Sequence, residues 1–271
     1  MIASPRMDET LRAQRSLSFG GVAEVYDRAR PGYPEDAVRW LIGPTPGRVL
    51  ELGAGTGKLS AVMLGLGHQV VAAEPSLPML RFLQVAAPKA HRLQGGAEAI
   101  GLSSSSVDAV IAAQAFHWFD PVRALPEIAR VLRPGGILAL VWNYRDETVP
   151  WVRRLSELIG SEPGPDAEVT PVVESDLFGE VEHRKFRFWQ PIDRDLLIGL
   201  VQSRSYIVAL GETERSEILD RVGALYDSYG RGKDGMLLPY VTHCYRTRVT
   251  DVGNFRRDLG GPDDGLLIDF H

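Results

Sequence analysis

From residue 35 to residue 148, segments with helical spacing alternate with short apolar runs, and this alternation predicts an α/β fold: a mostly parallel sheet with helices on both faces. Two further observations agree. The run Val70-Val71-Ala72-Ala73 is continuously apolar, as a strand covered on both faces is. The run Val49-Leu50-Glu51-Leu52 ends in three alternating glycines and then a helical stretch, which is how ligand-binding α/β sheets turn from their first strand into their first helix.

Residues 8–30 are spaced for a helix whose face carries Leu11, Phe19, Val22, Val25 and Tyr26, which predicts an N-terminal helical cap over 1–34. The turn Arg30-Pro31-Gly32-Tyr33-Pro34 ends it. Pro34 then begins a short helix over 35–42, where a missing amide hydrogen costs little. Pro44, Pro46 and Gly47 break the chain before a strand at 48–52, followed by a helix at 58–66 and a strand at 70–73 with Glu74 at its carboxyl end. A helix over 76–86 leads through a polar connection containing Gly96-Ala97-Glu98 to a strand at 107–112 and a helix at 121–132. Arg133-Pro134-Gly135-Gly136 reads as a tight turn into a strand at 137–142. Residues 35–148 thus form the core.

Beyond the core, 149–160 is helical in pattern, 162–173 is rich in Pro and acids, and 181–189 alternates like a strand. Two helical stretches, 193–204 and 213–229, precede a last strand-like run at 236–249. The simplest packing makes 149–250 a helical insertion on the substrate side plus two antiparallel strands at the edge of the same sheet. Residues 251–271 are a polar tail.

Composition narrows the function. The chain has 271 residues, 44% apolar and 24% charged, the balance of a water-soluble globule. A net charge of -5 argues against general affinity for nucleic acid. Cys244 is the single cysteine, so no internal disulfide or cysteine metal cluster is expected, and a reducing cytoplasm fits. The opening residues lack the apolar run of a secretory signal, and no stretch approaches the roughly 20 apolar residues of a membrane span.

The sharpest motif is Glu51-Leu52-Gly53-Ala54-Gly55-Thr56-Gly57. A turn this rich in glycine lets backbone amides approach a ligand at the carboxyl edge of the sheet. By itself it fits two cofactors, because dinucleotide enzymes also place a glycine turn after the first strand and an acid after the second. Three details favour a sulfonium nucleoside. The turn is GxGxG rather than GxGxxG, Glu51 precedes it, and nothing downstream is arranged for hydride transfer. A cationic amino-acid tail, unlike a pyrophosphate, gains from a nearby carboxylate.

Here the chain resembles the class I S-adenosylmethionine-dependent methyltransferases of the type 11 kind, whose fold is a Rossmann-like sheet. The likeness continues through Glu74-Pro75-Ser76, Gly96-Ala97-Glu98, Asp108-Ala109-Val110, His117-Trp118 and Arg130-Val131-Leu132-Arg133-Pro134-Gly135-Gly136, and covers residues 19–146. Within that family it is most similar to trans-aconitate-methyltransferase-like small-molecule enzymes, several of which carry a YxxxRPxYP opening like the one from Tyr26 to Pro34. The resemblance implies S-adenosylmethionine as cofactor, S-adenosylhomocysteine as product and a small-molecule acceptor. It further implies that Glu51, Gly53, Ala54 and Gly55 surround the methionine portion, that Glu74, with Pro75 and Met79 nearby, holds the ribose, and that Ala97 and Glu98 meet the adenine. Gln114 and Ala115 would line the methionine tail, and Tyr26 and Arg30 would close the site, with Arg30 near the cofactor carboxylate. His117 and Trp118 would face the substrate.

His117 follows a strand end and titrates near neutral pH, which makes it a candidate general base, with packing at a helix entry as its alternative. Arg145, after the fifth strand, offers a clamp for an acidic substrate or a local ion pair with Asp146. The aromatics Trp151, Trp189, Tyr206, Tyr226, Tyr229 and Tyr240 are assigned mainly to the core. No His or Cys spacing suggests a metal, and Gly230-Arg231-Gly232-Lys233-Asp234-Gly235 reads as a turn rather than a phosphate loop. The expected function is methyl transfer to a small-molecule oxygen or carboxylate by a monomer or homodimer. An NAD(P)-dependent oxidoreductase and a non-catalytic cofactor-binding regulator are the alternatives.

Overall fold

The computed structural model describes residues 30–161, 164–229 and 235–250. The helix expected over 8–30, Tyr26, most of the glycine turn at 230–235 and the polar tail lie outside the described residues.

In chain order the elements are α1 (Glu35–Ile42), β1 (Arg48–Leu52), α2 (Lys58–Gly65), β2 (Gln69–Ala73), α3 (Leu77–Ala86), β3 (His91–Leu93) and β4 (Val107–Ala113). A 3₁₀ turn (Phe116–Trp118) leads to α4 (Pro121–Val131) and β5 (Leu132–Arg145). Then come α5 (Pro150–Ile159), α6 (Asp166–Val173), β6 (Glu182–Ile192), α7 (Arg194–Gln202), α8 (Ser205–Val208), α9 (Glu212–Tyr229) and β7 (Met236–Arg248). The sheet has seven strands in the order β3-β2-β1-β4-β5-β7-β6. The first five are mutually parallel. β7 lies antiparallel to both β5 and β6, so the last strand in sequence slots inside and β6 becomes the edge.

Strand alternation sorts the core into two layers. Leu50, Val71, Val110, Leu138 and Trp142 face Ile128 of α4 and Val169 of α6. Val49, Val70, Ile111, Ala139 and Val141 face Leu41 of α1, Met63 of α2 and Leu83 of α3. A third cluster joins α5, α7 and α9 to Ile192, Leu238 and Tyr240 at the far end of β6 and β7. This last cluster sets the helical insertion against the carboxyl edge of β5.

Three details differ from expectation. β3 is an edge strand of three residues paired with β2 alone, and its polar His91 and Arg92 conceal it in the sequence. α6 forms in the Pro-rich and acidic stretch because Val169 and Val172, three positions apart, reach the core, an attraction that outweighs Pro171 inside the helix. The expected turn at 133–136 is a bulge within β5: Val107 pairs with Leu132 and Ala109 with Ile137, so the β5 side carries the extra residues.

The strand order reverses direction at β1, which lies between β2 and β4, and open α/β sheets bind ligands at such a switch point. Because Ile111 is fully buried in central β4, Ile111→Ala should lower the unfolding free energy by about 2–5 kcal/mol, read as a shift in the urea midpoint at unchanged slope.

Candidate functional site

The turn after β1 is shaped by two glycines. Gly53 has φ +69, and a Cβ there would lie 2.6 Å from the Ala115 Cβ, so any side chain would push β4's exit away. Gly55, at φ +56, faces open space, and its N–H donates to Glu74 Oε2 at 2.9 Å. The Ala54 N–H donates to the Ala73 carbonyl at 3.0 Å, tying the turn to the end of β2.

Glu74 is buried and accepts a second amide hydrogen, from Ser76, on Oε1 at 2.9 Å. Burial pushes its carboxyl pKa up, while the two N–H donors pull it down, and the net shift is upward. Each carboxylate oxygen has two acceptor sites and only one is used by the backbone. Glu74 lines the donor cavity, and one remaining acceptor site on each oxygen suits a vicinal diol.

Glu51 is more deeply buried, with the Ser60 hydroxyl donating to its Oε2. Its pKa is raised to about 8: desolvation and, less strongly, the charge of Glu74 push it up, and the Ser60 bond offsets part of this. A cationic ligand would reverse that balance by favouring the ionised form.

These groups line a cavity of about 550 Å³. Ala97 and Glu98 also line it, and Glu98 Oε1 accepts the Asp120 N–H at 2.9 Å. Gln114 forms the rim in a left-handed conformation (φ +55), uncommon for a residue with a side chain. It is held there by N–H donation to Val141 O at 2.9 Å and Nε2 donation to Asn143 O at 3.1 Å.

The cavity brings together Arg30, Glu51, Gly53, Ala54, Gly55, Glu74, Pro75, Met79, Ala97, Glu98, Gln114, Ala115 and Trp118. It also takes in Lys58, Phe119, Asp120 and Arg123, which the sequence reading passed over. Asp120 and Arg123 carried a usable signal, since they open the helix after β4 on the same sheet edge. His117 does not line it. Its Nδ1 lies 3.5 Å from Glu168 Oε2 of α6, and its ring sits against Trp118.

Arg145 also lies outside this cavity, lining a smaller one of about 220 Å³ with Tyr144 and His243. It is buried, with Nε and Nη2 donating to Ser156 Oγ and Nη2 to Gly160 O at 3.0 Å. Asp146 is not its partner: that carboxylate takes the Thr148 hydroxyl and stands 3.7 Å from Arg187. Arg145 shares its surroundings with Arg204, a residue just after α7 that sequence reasoning missed. The Arg204 pKa is lowered to about 9, by burial first and then by the charges of Arg145 and Arg30, with Tyr206 and Tyr240 offsetting part of this.

A methyltransferase domain model matches residues 50–140. An uncharacterized methyltransferase of Mycobacterium tuberculosis is 45% identical over 240 residues, covering 88% of this chain and 98% of that protein. The chain belongs to the class I S-adenosylmethionine-dependent methyltransferases. A malonyl-[acyl-carrier protein] O-methyltransferase of Methylococcus capsulatus is 38% identical over 134 residues, 45% of this methyltransferase and 49% of that enzyme. Among solved structures, one from Anaeromyxobacter dehalogenans described as a candidate type II methyltransferase aligns with a TM-score of 0.57 and 26% identity, over 81% of this chain and 97% of the other. The cofactor is S-adenosylmethionine, and the dinucleotide alternative falls away. The residues fit the nucleoside: remaining acceptor sites on Glu74 for a sugar diol, a buried acid at Glu51 for a cation, and a glycine-rich turn with open space at Gly55.

Two outcomes follow for the methyltransferase. Glu74→Ala should weaken S-adenosylhomocysteine binding by roughly 1.5–3 kcal/mol in titration calorimetry, the scale of hydrogen bonds to a charged group. Because Glu51 holds its proton up to about pH 8 and a cationic donor favours the ionised form, S-adenosylmethionine affinity should rise with pH. Below that pH the slope should be up to about tenfold per unit, flattening above it, and Glu51→Gln should remove it.

Proposed function

We propose that this methyltransferase moves the methyl group of S-adenosylmethionine onto an oxygen of a small-molecule carboxylate. The observation that carries this reading is the gathering of Arg30, Arg145 and Arg204: Arg145 and Arg204 are buried, burial lowers the pKa of both, and the charge of Arg30 lowers it too. Arg30 belongs to both groups, since it lines the donor cavity and acts on the other two. Like charges brought into low-dielectric surroundings are costly, and an anion among them relieves the repulsion. The O-methyltransferase relative supports oxygen as the accepting atom.

When bound, the donor supplies a methyl group on a sulfonium. In this reading Glu74 holds its ribose, Ala97 and Glu98 border its adenine, Glu51 faces its cationic amino-acid end, and Arg30 stands near its carboxylate. The arginines hold the acceptor's carboxylate in line with the methyl, and such positioning accounts for much of the catalysis a displacement of this type needs. A carboxylate is already anionic at neutral pH, so no side chain has to remove a proton. His117 then serves through its contact with Glu168, steadying the turn that carries Trp118 at the cavity wall. We assign the activity to a reducing cytoplasm, which the buried, single Cys244 suits.

The test offers the enzyme S-adenosylmethionine with matched acids, amides, amines and alcohols, and follows methyl ester formation. Acids should be turned over. Arg145→Gln should raise the acceptor KM by about 10- to 100-fold, the equivalent of one charged hydrogen bond, with S-adenosylhomocysteine affinity near wild type. Methylation of amines or alcohols with acids ignored, or an unchanged KM in Arg145→Gln, would contradict the reading.

A further inference from the structure

Between the donor cavity and the arginine group lies a buried amide that the proposed reaction does not use. Asn143 is 3% exposed and sits on β5 two positions before Arg145, on the same face of the strand. Its Oδ1 accepts the hydroxyl hydrogen of Thr242 at 2.7 Å, from the residue directly opposite on β7. Its Nδ2 donates to the carbonyl of Gly32 at 2.9 Å, a contact between positions 111 residues apart. Its own carbonyl accepts from Gln114 Nε2 on the cavity rim at 3.1 Å.

Three parts of the site therefore meet at one residue. The first is the strap 30–33, whose Arg30, Pro31 and Tyr33 line the donor cavity. The second is Gln114 in its left-handed conformation. The third is β7, which brings Tyr240 to the arginines. The amide matches both neighbours. Thr242 offers a hydrogen and needs an acceptor, whereas the Gly32 carbonyl offers lone pairs and needs a donor. A carboxylate of the same shape would satisfy Thr242 and oppose Gly32, and an apolar side chain would satisfy neither.

We propose that Asn143 is a positioning residue that anchors the strap through Gly32, so that Arg30 is held where the donor cavity and the arginine group meet. Donor binding then meets a strap already in place, and less ordering entropy is lost when the ligand arrives. The link to acceptor recognition rests on the carboxylate reading above; the link to donor binding does not.

Asn143→Asp tests this directly, because the new side chain regains a donor for Gly32 only when it is protonated. At neutral pH the variant should bind S-adenosylhomocysteine about tenfold more weakly than wild type and exchange the amides of residues 32–38 faster in the ligand-free state. On acidification the ratio of variant to wild-type affinity should return towards one. Equal affinity at neutral pH, or a deficit that acid does not close, overturns the proposal, since loss of packing alone would not respond to protonation. Should Asn143→Asp fail to fold, Thr242→Val releases the amide from its orienting donor and should give the same two changes in smaller measure. Unchanged affinity and exchange there would likewise overturn it. None of these readings involves an acceptor, so failure of the carboxylate assignment would appear separately, as acids left unmethylated by a wild-type enzyme whose strap behaves as described.

Discussion

One buried carboxylate holds the two loops of the donor site together. Glu74 accepts the N–H of Gly55 from the turn after β1 and the N–H of Ser76 from its own loop. The arrangement depends on parallel register, with Leu52 beside Ala73, which brings residue 74 level with the glycine turn. The same turn needs Gly55 at a positive φ, a conformation that a residue with a side chain rarely adopts. Burying the carboxylate carries a desolvation cost, visible in its raised pKa, and the two amide donors offset only part of it. A pair of sugar hydroxyls would offset more.

Both signs of charge line the donor cavity: Glu51 and Glu74 stand at these two loops, and Arg30, Lys58 and Arg123 join them, while Arg145 and Arg204 do not line it. In the proposed reading the cationic donor meets the two acids and the anionic acceptor meets Arg30, Arg145 and Arg204. In the proposed reaction, transfer abolishes both the sulfonium and the carboxylate charge, so the products lose interactions that held the reactants. Arg30 lines the donor cavity and acts on Arg145 and Arg204, and Asn143 bonds the carbonyl of Gly32, two residues along the chain from it.

The place of the cavity was legible in the sequence because a glycine turn after an apolar strand and an acid at the next strand's end come together at the carboxyl edge of a parallel sheet. Which further residues join them was given by the family resemblance, and Glu51, Gly53, Gly55, Glu74, Ala97 and Gln114 do line one cavity. The acceptor half was not legible in the same way. His117 stands beside Glu168 of α6, far along the chain, and Arg145 bonds Ser156 of the nearby α5, a contact that no motif announces. Arg204 follows α7 in a stretch with no motif, and its importance comes only from the cations folded beside it. α6 was hidden by its prolines and acids, β3 by its length, and the inward slot of β7 by the fact that pairing partners cannot be read from alternation alone.

The most direct test is a crystal structure with S-adenosylhomocysteine bound. Both ribose hydroxyls should lie within hydrogen-bonding distance of the Glu74 carboxylate, while the bond from the Gly55 N–H to that carboxylate persists. A nucleoside bound elsewhere, or a Glu74 side chain turned away from the sugar, would contradict the assignment of this cavity.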